Sequence, residues 1–139
     1  MTDTPGAFPF ETFVHAGEVL AVVVRAGARP AATAFATDPE ASLQLGYIVS
    51  PAGREIPRHV HHPPVRTVTR SAEVLVIDSG ACEMDLYGDD LTPVATVVLN
   101  TGDVALLLRG GHGFRMTADT VILEIKQGPY PGLGEKEHF

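Results

Sequence analysis

Lysine is nearly missing from this chain: Lys126 and Lys136 are the only two in 139 residues. With 10 basic against 17 acidic side chains the formal charge is −7. That balance argues against a nucleic-acid partner, because affinity for a phosphate backbone rests on clustered Lys and Arg that displace counterions. Cysteine is equally scarce. Cys82 stands alone, so no internal disulfide forms, and its neighbours Glu83–Tyr87 alternate as a strand does. It reads as a small packed residue and not as a catalytic thiol, since no His or Asn is paired with it in sequence. Long apolar runs are absent too. The longest, Val19–Val24, falls far below the roughly eighteen residues of a membrane span. It also follows Asp3, Glu11 and Glu18 where a signal peptide carries basic residues. No membrane partner is expected, and a cytoplasmic location is the default. Helix signals are nearly absent as well.

What is present is a succession of short Val-, Ile-, Leu- and Thr-rich segments between Gly, Pro, Asn and Asp clusters, the mark of strands joined by turns. Strands are expected near Thr12–His15, Val19–Arg25, Leu43–Val49, Arg54–Arg58, Glu73–Asp78, Cys82–Tyr87, Val94–Leu99, Val104–Leu108, Gly113–Met116 and Thr120–Lys126. The clearest hairpin joins Cys82–Tyr87 to Val94–Leu99 through Gly88-Asp89-Asp90-Leu91-Thr92-Pro93. In the first of these, Cys82, Met84 and Leu86 alternate with Glu83, Asp85 and Tyr87, which gives one core face and one wet face. Val94–Leu99 and Val104–Leu108 are apolar on both faces, so a second layer must cover them, either a partner sheet or a dimer interface. With the apolar Val19–Val24, this predicts a homodimer. The expectation is one all-β domain over residues 1–139 in two antiparallel layers, with residues 1–10 and the stretch from Gly128 as arms and Ala26–Glu40 as a loop.

The histidines carry the chemistry. In His59-Val60-His61-His62, side chains two apart on a strand share a face, so His59 and His61 converge as half of a metal site. His112 alternates with Phe114 and Met116 on an inward face and needs a polar partner there. Glu73 shares its face with Leu75 and Ile77, and a carboxylate at the edge of a core is explained by a nearby cation. A solvated Glu73 paired with Arg70 is the other reading. His62, on the opposite face to His61, is an alternative fourth ligand or an acid/base. His15 and His138 take surface or packing roles.

At these residues the sequence resembles the cupin superfamily. Its first motif is matched by Gly53, five residues, His59-Val60-His61, and by Glu73, six residues, Gly80. The insert His62–Ala72 separates these halves. The second motif is represented by Gly102 through Gly110-Gly111-His112, with Leu108 where proline is usual and the His one residue early. The resemblance covers about residues 43–127. It implies a double-stranded β-helix, or jelly-roll barrel, holding one divalent ion (Fe, Mn, Zn, Ni or Cu) on His59, His61, Glu73 and His112. The segment from Val121 to Tyr130 is more loosely similar to cupin-fold metalloproteins of bacterial surface-polysaccharide pathways, which implies a sugar or sugar-nucleotide ligand.

Three expectations about activity follow. In the first, the metal polarises a carbonyl or hydroxyl of a small polar substrate, with Arg66 or Arg70 orienting a carboxylate or phosphate. In the second, no metal is used and a sugar is epimerised or isomerised with His61 or His62 as base and Tyr87 or Tyr130 as acid. The third is a binding module that captures a small ligand without turnover.

Overall fold

A computed structural model describes residues 9–139, so the expected arm over residues 1–10 lies almost wholly outside the described residues. Ten strands follow in order: β1 (Phe10–His15), β2 (Glu18–Val24), β3 (Ala34–Phe35), β4 (Gly46–Tyr47), β5 (Glu73–Ser79), β6 (Ala81–Tyr87), β7 (Pro93–Asn100), β8 (Val104–Leu107), β9 (Gly111–Met116) and β10 (Val121–Lys126). The only helical piece among the described residues is a 3₁₀ turn at Leu133–Glu135. The all-β expectation holds.

The strands form a five-stranded sheet ordered β1-β2-β8-β5-β10, a three-stranded sheet ordered β7-β6-β9 and the small pair β3-β4. All pairings are antiparallel. The ladders do not join into one closed barrel, which leaves β10 and β9 as free edges of their respective sheets. The two larger sheets meet over one core. Leu20, Val23, Leu75, Ile77, Ala105 and Leu107 from one side pack with Cys82, Met84, Leu86, Val97 and Leu99 from the other. The alternation in β6 therefore does what period two requires, sending Cys82, Met84 and Leu86 inward.

Two expected strands are corrected. Of Leu43–Val49 only Gly46–Tyr47 pairs, and Arg54–Arg58 forms no strand. Four prolines, at positions 51, 57, 63 and 64, break up the donors that a ladder needs there. The argument for a dimer from Val19–Val24 is also overtaken, because Leu20–Val24 are buried within the chain's own fold.

One polar group anchors the β7–β8 turn. Asp103 is 4% exposed and accepts hydrogen bonds from Ala26 N–H (2.8 Å), Asn100 N–H (2.9 Å) and Arg25 Nη1 (3.0 Å). Arg25 also grips Glu11 at 2.9 and 3.0 Å and the Val98 carbonyl at 2.6 Å. A buried carboxylate is thereby satisfied while it ties β1, the end of β2 and the end of β7 together.

Candidate functional site

A cleft of about 1020 Å³ opens where β5, β9 and β10 end beside the β6–β7 loop. Glu73 and Leu75 line it from β5, Ile122 and Glu124 from β10, and His112 and Phe114 from β9. The free edges of β10 and β9 flank it, so it lies on the open side of the two sheets.

Glu73 stands opposite Leu107 and Lys126 in the five-stranded sheet and points to the core face with Leu75. His112 pairs with Leu86 in the other sheet. Their side chains meet across the cleft, His112 Nε2 lying 3.4 Å from Glu73 Oε2. The hydrogen bond from His112 holds the Glu73 carboxyl below its ordinary range against the opposing effect of burial, and the charges of Lys126 and Lys136 add to it. His112 is delivered by the turn before β9, where Gly110 has φ +78° and an added Cβ would collide with the Tyr87 carbonyl. Only glycine turns the chain so closely there.

A second cluster frames the mouth. Asp89 accepts from Arg109 Nη2 (2.6 Å) and Nε (3.0 Å), from Arg70 Nη1 (3.0 Å) and from Gly110 N–H (3.1 Å). Arg109 is the main cause that lowers the Asp89 pKa. Arg109 reaches Glu18 as well, at 2.7 Å. Both arginines at the mouth thus face protein carboxylates, and the expected solvated pairing of Arg70 with Glu73 is replaced by Asp89.

The stretch Glu135–Phe139 also lines the cleft. Ser71 Oγ donates to Glu135 at 2.8 Å, Lys126 Nζ lies 3.6 Å from Glu135, and Phe139 packs edge-on against Tyr87 at 5.0 Å. Tyr87 is therefore behind Phe139 and does not line the cleft. Tyr130 is exposed, with Lys126 over its ring at 5.7 Å.

No family model, curated protein or solved structure matches this chain.

Of the four expected ligands, the structure brings Glu73 and His112 together. His59 and His61 lie on a segment exposed from Ile48 to Ser71, their rings 5.2 Å apart and the His59 ring bonded to the Pro57 carbonyl at 2.9 Å. His62 and Arg66 lie on the same exposed segment. Among the described residues no three His, Cys, Asp or Glu side chains converge as a metal-binding group within one chain. The residues fit half of a site, a carboxylate and an imidazole, and the other half stands apart. Sequence reasoning missed Asp89, Arg109 and the Glu135–Phe139 stretch. Asp89 sits in a turn where an aspartate is ordinary, and the other residues carry no periodic signal. His138, read as surface or packing, lines the cleft, while His15 lies 3.4 Å from Asp90.

Proposed function

We propose that the cleft binds one divalent metal ion and, beside it, a small polar molecule such as a sugar or sugar nucleotide, and that the protein is a metal-dependent enzyme. The observation that carries this reading is the Glu73–His112 pair, in which two metal-ligating groups from different sheets meet in an open cleft. Imidazole nitrogen and carboxylate oxygen together suit several first-row ions. His59 and His61 are the further ligands, on the resemblance to the cupins, and the two sheets are then the halves of a jelly-roll barrel. A bound ion supplies Lewis-acid polarisation of a substrate oxygen. Among the chain's own groups, Glu73 stays ionised beside His112, and Leu75, Phe114 and Ile122 form an apolar wall. Asp89 holds Arg109 and Arg70 at the rim.

Elemental analysis of protein purified without a His tag tests the reading, with about one metal ion expected per chain. Glu73→Gln and His112→Ala should each weaken metal affinity by about tenfold or more, since even the partners of ligands contribute that much. Metal-free wild-type protein, or unchanged affinity in both variants, overturns it.

A second reading is favoured by one observation, that among the described residues no third ligand joins Glu73 and His112 within one chain. There the pair acts without metal, Glu73 orienting His112 to accept a proton from a sugar carbon. Turnover that survives exhaustive chelation selects it, and tight ligand binding without turnover selects a binding module instead.

A further inference from the structure

All 24 residues from Ile48 to Ser71 are exposed, and none belongs to a strand or helix. A structureless stretch of this length is uncommon in a compact domain and is usually either a functional loop or a linker. This one is not polar filler: Ile48, Ile56, Val60, Val65 and Val68 are all exposed, Ile56 by 65% and Val60 by 80%. The hydrogen bonds around residues 51–59 are local, from Arg54 N–H to the Pro51 carbonyl and from the His59 ring to the Pro57 carbonyl. The arm is tied to its own body at its two ends, Val49 to Thr33 at one and Arg70 to Asp89 and Ser71 to Glu135 at the other.

The body has a matching vacancy. On the outer face of the five-stranded sheet, Val22, Leu106, Val74 and Ile125 form one cross-strand row, and Val24, Val104, Val76 and Leu123 form the next. These rows are covered at the β2 end, where Val22 and Leu106 are fully buried, and bare at β10, where Leu123 and Ile125 are 56% and 53% exposed. The bare end coincides with a free strand edge.

We infer that this vacancy is filled by the arm of a second copy of the chain, which exchanges its own arm in return, and that the cleft is completed by the partner's His59 and His61. The inference rests on the metal reading above only for what the histidines do once docked. Four features of the arm fit the place. Arg58–His62 is free of proline and so is able to add a strand to the β10 edge. Strand alternation then puts Ile56 and Val60 on the face of Leu123 and Ile125. It puts His59 and His61 on the opposite face, which is that of Glu124 and the cleft. Charge is complementary. Residues 48–71 carry Arg54, Arg58, Arg66 and Arg70 against Glu55, a net +3, so the remaining residues of a chain of net −7 carry −10. The exchange is also two-fold, each copy giving and receiving the same segment, which is the isologous arrangement of most homodimers.

The test uses the full chain after chelation, so that it does not depend on metal. Light scattering should give twice the 14.7 kDa of one chain. Ile56→Asp with Val60→Asp should give a folded monomer by circular dichroism. Val60→Cys protein mixed with Leu123→Cys protein should form a disulfide-linked pair between chains under mild oxidation, Cys82 being buried. A monomeric wild type overturns the exchange, as does a dimer that survives the two aspartates. So does a double Cys variant that closes within one chain, which would mean that the arm folds onto its own body. If the dimer forms but the protein holds no metal, the exchange stands and the metal reading fails. If a monomer binds metal through His59 and His61, the reverse is true.

Discussion

At the scale of single residues, burial separates polar groups that build the fold from those that face the cleft. Burial alone would raise the Asp103 carboxyl, yet the backbone N–H groups of Asn100 and Ala26, together with Arg25, hold it below its ordinary value. Its folded value therefore lies below its unfolded one. The stability it contributes is complete above the unfolded value near 3.8 and is lost as pH falls through the folded value. Asp103→Asn should lower stability by about 2 kcal/mol at neutral pH, because one amide oxygen replaces a charged acceptor of three bonds. Urea unfolding at pH 7 and pH 3 checks this: the gap between wild type and variant should narrow at the lower pH. In the core, Met84→Ala should cost about 2–5 kcal/mol, the range for a truncated large side chain at a sealed site.

At the scale of elements, turns decide which strands meet. Gly80 joins β5 to β6 at φ +89°, and a Cβ there would run into the Asp119 carbonyl and Thr120. Gly53 has a similar φ of +81° but open space around it. Gly53→Ala should therefore cost about 1 kcal/mol, the backbone term alone. Gly80→Ala should cost more, because the β5–β6 hairpin must shift as well. Thermal melts of the two variants, compared at the same pH, measure the difference. Both glycines belong to the same sequence motif, yet only Gly80 is pinned by neighbours. The motif's second half, Glu73 to Gly80, spans a real strand, and its first half, Gly53 to His61, lies on the arm.

At the scale of the whole molecule, the exposed arm and the bare β10 flank govern behaviour in solution. Trypsin should cut first at Arg54, Arg58 or Arg66, all exposed. It should cut Ile56→Asp/Val60→Asp protein faster than wild type, which peptide mapping of a digestion time course would show. Attraction between a +3 arm and a −10 body is screened by salt, so the proposed dimer should loosen as ionic strength rises. A dissociation constant that does not change with salt would leave the apolar rows as the whole of the interface.

Eight of the ten expected strands were legible because period-two alternation and Gly-, Asn- and Asp-bearing turns are local properties, as in Cys82–Tyr87 and its hairpin to Val94–Leu99. Placing Glu73 and His112 on inward faces needed no more than that alternation. Their meeting at 3.4 Å was not local: it required two sheets to pack with a particular register. The same holds for Asp89, whose partners Arg70 and Arg109 are 19 and 20 residues away. His59 and His61 show the limit most clearly. By itself the sequence determined which residues alternate, which ones turn the chain and which carry metal-ligating groups, because these depend on covalent geometry and side-chain chemistry. Only the tertiary structure decided that no neighbouring edge of the chain takes up Arg54–Arg58 and that the apolar rows end bare at β10. A strand is completed by a neighbouring edge, and which edge is free depends on the packing of the whole chain.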